Sequence, residues 1–141
     1  MLRGVEFIGE AEDLFMNLES VMEILGHDWC ADDIYTYMNE FREGKYSGQE
    51  LKNALPELAE QVFVRLRRYP EGSAIDQIDT YEEYLESPSD VIILFYDGGY
   101  CQIYAKDEEI THRLYKLAAR HEFEDIEYVY DENDGRTGMH F

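Results

Sequence analysis

Near the C-terminus, Asp131-Glu132-Asn133-Asp134-Gly135 gathers acidic and turn-forming residues, with His140 a few positions on. Carboxylates spaced in this way can ligate a hard divalent cation, and a nearby imidazole could help such a metal activate water for hydrolysis. An EF-hand loop is excluded, because it needs glycine at its sixth position and here glycine stands at the fifth. What remains is a looser metal site on Asp131 and Asp134, extended by His140 in a metal-assisted hydrolase. Against it stands a plain turn in which Asn, Asp and Gly satisfy their own backbone.

Other combinations carry less chemistry. His27 and Cys30 lie three apart, but nothing nearby completes a zinc set. No nucleophile elbow, phosphate loop or dinucleotide loop is present, so the sequence assigns no catalytic residue and calls for no cofactor. Arg65, Arg67 and Arg68 form the one dense basic cluster. On a strand, Arg65 and Arg67 point to the side opposite Val64 and Leu66. They suit a phosphate or carboxylate clamp, or, as the simpler reading, they neutralise carboxylates on an open sheet face. The aromatic-flanked span 96–102 could stack on bases only against the overall charge.

That charge is the dominant bulk property: 32 acidic against 12 basic residues, a net charge of −20. Residues 4–40 contain no lysine or arginine. Two further acidic runs follow, one holding Asp79, Glu82, Glu83 and Glu86, the other Glu127, Asp131 and Asp134. Nucleic acid and anionic membrane surfaces would be repelled, while a basic protein would be steered in. These seven residues are therefore the candidate partner-binding set. The sequence points first to a non-enzymatic protein recognising a basic protein partner, immunity- or antitoxin-like in its sharpest form. A metal-assisted hydrolase is the alternative from another class. A third reading is a stand-alone fold whose acidity reflects its host, which the four lysines against eight arginines would also fit.

The elements that must position these groups follow from patterning. Apolar residues make up 45% of the 141 residues and aromatics 14%, enough for a folded core rather than a disordered acidic chain. Apolar spacing predicts a strand over 2–8 and an amphipathic helix over 10–25, with Leu14, Leu18, Val21, Met22 and Leu25 on its buried stripe. A second strand is expected over 34–38. Ser47-Gly48-Gln49-Glu50 and Thr80-Tyr81-Glu82-Glu83 have capping-box spacing, the first helix stopping or kinking before Pro56. A strand is expected over 62–68, and Asp97-Gly98-Gly99 between two β-rich runs predicts a hairpin over 91–106. A helix over 108–121, with His121 on its apolar face, a strand over 126–130 and a tail over 135–141 complete the chain. The predicted class is α+β, one domain over 1–141, with an antiparallel or mixed sheet and helices on one face. Its C-terminal part reads βαββαβ, the ferredoxin-like order, preceded by a strand-helix unit. Cys30 and Cys101 form no CxxC pair, no leader pattern opens the chain and no stretch is apolar enough to span a bilayer, which together suggest a reduced cytoplasmic protein.

Several segments resemble a small family of uncharacterised Bacillus-type proteins catalogued as a domain of unknown function. They are Arg3-Gly4-Val5-Glu6-Phe7, Tyr69-Pro70-Glu71-Gly72, the run from Ile78-Asp79-Thr80-Tyr81 through Glu86-Ser87, Glu127-Tyr128, Asp131-Glu132-Asn133-Asp134 and Arg136-Thr137. The likeness covers chiefly residues 62–141. It implies a Firmicute host and carries no activity or site residues.

Overall fold

In the computed structural model, which describes residues 1–35, 41–97 and 99–140, the chain forms β1 (Leu2–Ile8), α1 (Ala11–Met16), a 3-10 turn (Leu18–Ser20), β2 (His27–Tyr35) and β3 (Gly44–Ser47). There follow α2 (Gly48–Leu58), β4 (Phe63–Pro70), α3 (Tyr81–Glu86), β5 (Val91–Tyr96), β6 (Tyr100–Ala105), α4 (Glu108–Arg120) and β7 (Glu124–Tyr130). The strands make one seven-stranded sheet in the order β3-β2-β4-β5-β6-β1-β7, every neighbouring pair antiparallel.

Local chemistry explains most boundaries. Both capping boxes form: Ser47 Oγ accepts from the Glu50 N–H and Thr80 Oγ1 from the Glu83 N–H, each at 3.1 Å, and each glutamate carboxylate in turn accepts from the cap N–H. Each cap stabilises its helix by about 1 kcal/mol. The hairpin closes in register from Val91↔Ala105 to Tyr96↔Tyr100, with Asp97 at φ +53° supplying the left-handed turn residue.

Two helices depart from the sequence pattern. The helix expected over 10–25 stops at Met16, because the Asn17 side chain donates to the Asp13 carbonyl (2.7 Å) while the Asn17 backbone N–H turns to Leu14. Leu14, Leu18, Val21 and Met22 are buried regardless, whereas Leu25 is 38% exposed. In contrast, α2 runs through Pro56 to Leu58. Pro56 sits on the exposed side of the last turns, where water can satisfy the orphaned carbonyl, and burial of Leu51, Leu55 and Leu58 outweighs the lost bond. Of the strand expected over 34–38, Ile34 and Tyr35 end the longer β2, and 36–38 lie outside the described residues.

The ferredoxin-like order is replaced by another topology. That order separates strands joined through a helix by a third strand and makes them parallel, but β4 and β5 are antiparallel neighbours. The six-residue α3 spans only about 9 Å against roughly 26 Å for an eight-residue strand, and the connection over 71–90 returns beside β4 to start β5 antiparallel to it. α4 does cross over, leaving β6 and β7 parallel, and the strand between them is the N-terminal β1.

The sheet is covered on both faces rather than one. Val91, Ile93 and Phe95 of β5 belong to the larger core, with Leu14 and Phe15 of α1, the α2 leucines and Leu114 and Leu117 of α4. Ile92 and Leu94 point the other way, into a smaller core with Tyr84 of α3, Ile78, Tyr104, Val129 and Met139. A strand apolar on both faces is what such double coverage requires. β1 can enter the sheet because Gly4 is a glycine: a Cβ there would lie 1.9 Å from the Ile103 carbonyl oxygen. No helix among the described residues is long and apolar enough to cross a membrane.

Candidate functional site

Register aligns one rung across the second face: Asp32, Arg65, Leu94, Gln102, Glu6 and Glu127, each opposite the next on neighbouring strands. This rung crosses two regions of different character. On the β2–β4 side the face is closed by the segment leading into α3 and by the C-terminal tail. On the β6–β1–β7 side it is open.

Arginines hold the closed side. Arg65 is only 1% exposed and meets Asp32 through two bonds, Nε to Oδ1 at 2.7 Å and Nη2 to Oδ2 at 2.6 Å. Its Nη1 donates to the carbonyls of Ile78 (2.6 Å) and Met139 (3.0 Å), so one guanidinium ties β4 to both covering segments. Arg67 donates to the Tyr69 hydroxyl, the Asp76 carbonyl and Cys30 Sγ. Burial, ahead of any charge, pushes the Cys30 thiol up despite Arg67. Arg68 forks onto Asp90 on the other side of the strand. The arginine cluster does neutralise carboxylates, but on a covered face and not an open one.

The open side is a cleft of about 350 Å³ lined by Glu6, Ile8, Tyr96, Tyr100, Gln102, Asp125 and Glu127 among others. Tyr96 and Tyr100 stack beside the hairpin turn, ring centroids 5.6 Å apart and 15° from parallel. Burial, rather than charge, is the main cause raising the Tyr96 phenol above its ordinary value, and Arg136 acts against it. The floor is acidic. Glu6 stands directly opposite Glu127, and Gln102 Nε2 donates to Glu6 Oε2 at 2.9 Å. Gln102 Oε1 is buried with no hydrogen-bond donor. No lysine or arginine side chain lines this cleft among the described residues. Like charges facing across a strand pair destabilise it, and a cation seated between them would relieve that. Tyrosine faces favour the same cation by about 0.5–2 kcal/mol.

The structure divides the seven partner candidates. Asp79 accepts from His140 and Gln77, and the bond from His140 is the main cause holding its carboxyl below the usual range. Glu83 is spent in the α3 cap. Asp131 takes Arg3 Nε at 2.7 Å, which holds its carboxyl down. Asp134, its side chain largely buried, takes Arg3 Nη1 at 3.2 Å and the Tyr104 hydroxyl at 2.9 Å. The side chains of Glu82, Glu86 and Glu127 are exposed and make no hydrogen bond or ion pair among the described residues. The metal set of Asp131, Asp134 and His140 is not assembled: Arg3 occupies the two aspartates, and His140 is turned to Asp33 and Asp79. Among the described residues no group of three His, Cys, Asp or Glu is arranged to hold a metal ion. His121, expected on the apolar face of α4, is the half-exposed C-cap and stacks on Phe123. Sequence reasoning found the aromatic span 96–102 but not its acidic counterpart, because Glu6 and Glu127 reach it only through strand pairing.

Fold and site define a small α+β protein with a fully antiparallel sheet and an acidic, tyrosine-walled cleft on one face. The chain belongs to the family described as "Protein of unknown function (DUF2691)", whose model matches residues 9–140. It is 40% identical over 78 residues to "Uncharacterized protein YncE" of Bacillus subtilis (strain 168), a match covering 55% of this chain and 51% of the relative. The match thus spans about half the length of that relative, whose source agrees with the Firmicute resemblance. No solved structure matches the chain.

Proposed function

We propose that this protein is a non-enzymatic binding protein that recognises a basic protein partner, seating a lysine or arginine side chain in the cleft between Glu6, Glu127 and the Tyr96–Tyr100 pair. The observation that carries this is the register pairing of Glu6 with Glu127, two facing carboxylates beside a stacked aromatic wall. The aliphatic stem would lie on the tyrosines while the cationic head sits between the carboxylates. Glu82 and Glu86, exposed and unpaired on α3, add to the field that steers the partner in. An immunity- or antitoxin-like role, neutralising a basic protein by covering it, is the sharpest form of this reading.

The test is a titration of isotope-labelled protein with a lysine-rich peptide, and with the same peptide carrying norleucine for lysine. Amide shifts concentrated at Glu6, Tyr96, Tyr100, Gln102 and Glu127, and at least about tenfold weaker binding by a Glu6→Gln/Glu127→Gln variant, would support the cleft. Raising salt towards about 0.5 M, where the Debye length falls to about 4 Å, should erase most of the steering. Shifts scattered evenly over every acidic run, or a variant binding like the wild type, would overturn the assignment.

A further inference from the structure

The C-terminal tail is held by groups of two kinds, and only one kind titrates near neutrality. The Met139 side chain is fully buried in the smaller core. Around it, the Met139 N–H donates to the Asp79 carbonyl (2.9 Å), the Tyr81 N–H to the Thr137 carbonyl (2.8 Å), and Gly138 bridges Thr80. Arg65 Nη1 holds the Met139 carbonyl and Arg136 Nη1 the His140 carbonyl. None of these bonds depends on pH in the neutral range. The next residue differs. His140 Nδ1 lies 2.6 Å from Asp33 Oδ2 on β2, and its Nε2 lies 2.8 Å from Asp79 Oδ1 on the segment entering α3.

An imidazole donates from both nitrogens only as the imidazolium. Once the ring is neutral, one nitrogen presents a lone pair to a carboxylate, so a bond becomes a repulsion. The charged groups facing His140 are Asp33 from β2, Asp79 from the segment before α3, and Arg65 from β4, while Arg136 of the tail itself holds the His140 carbonyl. Burial is the largest single influence and acts against the proton, as does Arg65. The bonds to Asp33 and Asp79 outweigh them and leave the imidazole above its ordinary value.

We propose that His140 is a protonation-controlled latch that clamps the tail over the second face of the sheet when charged and loosens it when neutral, uncovering the apolar seat of Met139 formed by Ile78, Tyr84, Ile92 and Leu94. The latch stands on the tail's own contacts and is independent of the cleft's ligand.

Hydrogen exchange of the full chain, read as protection factors between about pH 6 and pH 9, tests it. The amides of Met139 and Tyr81 report the tail, and those of β5 and β6 report the global fold. Tail protection should fall about tenfold for each pH unit by which the closed-state histidine pKa exceeds that of the open state, and should stay below that of β5 and β6 throughout, because the tail opens without global unfolding. His140→Gln should make tail protection insensitive to pH across this range. Asp33→Asn, which removes one clamp and leaves the ring, should move the loss to lower pH. Tail protection constant with pH, tail amides as protected as those of β5 and β6, or a pH response surviving His140→Gln would each overturn the latch.

Discussion

Arg65 and Asp32 are directly opposite each other on β4 and β2 and meet through two parallel bonds of 2.7 and 2.6 Å. The pair lies on the covered part of the second face, where the same guanidinium donates to the carbonyls of Ile78 and Met139. Its importance is asymmetric. Asp32→Ala would leave a nearly fully buried cation without its counter-charge, and should cost about 3–5 kcal/mol. Urea denaturation checks this; a loss under about 1 kcal/mol would show that the two carbonyls alone satisfy Arg65.

Gly4→Ala should be among the costliest small substitutions in the protein. The new methyl would lie 1.9 Å from the Ile103 oxygen and 2.8 Å from its carbonyl carbon, both backbone, so β1 must move away from β6. A loss of about 3 kcal/mol or more in the same denaturation experiment is expected. A variant within about 0.5 kcal/mol of wild type would mean that β1 shifts register without penalty.

Charge reversal should separate two populations of carboxylate that look alike in the sequence. Glu82→Lys and Glu86→Lys, at exposed positions without partners, should alter stability by no more than about 0.5 kcal/mol. Asp134→Lys removes the acceptor for Arg3 and the Tyr104 hydroxyl from a site whose side chain is 8% exposed, and should cost about 3 kcal/mol or more. Equal effects at all three positions would show that Asp134 is only a surface charge.

The pH profile of stability should be a plateau with two falling limbs. Asp79 and Asp131 are depressed below their ordinary value of 3.8, so their contribution is present above that pH and is lost as pH falls through the depressed values. His140 is raised above its ordinary 6.5, so its contribution is complete below that pH and is lost as pH rises through the raised value. Thermal midpoints should therefore be highest between about pH 4 and pH 6.5, and His140→Gln should flatten the alkaline limb. Midpoints that rise steadily from pH 6.5 to pH 9 in the wild type would contradict the assigned sign.

By itself the sequence determined the features whose physics is local. Ser47 with Glu50 and Thr80 with Glu83 specify helix starts because both members of each box lie within one turn. Asp97 and its flanking β-branched runs specify a hairpin because the partners are neighbours in the chain. The run in β5, apolar on both sides, called for a central strand covered on at least one face, and only the fold showed that the second face is covered as well. Tertiary structure decided whatever depended on distant pairing. Insertion of β1 between β6 and β7 converted an expected ferredoxin-like order into a different sheet, and only that insertion set Glu6 opposite Glu127. Arg3 neutralised Asp131 and Asp134 from the far end of the chain, and His140 found Asp33 and Asp79 rather than the aspartates nearer to it in sequence. A carboxylate's role depends on which cation burial brings beside it, and net charge counts carboxylates without saying which of them the fold has already neutralised.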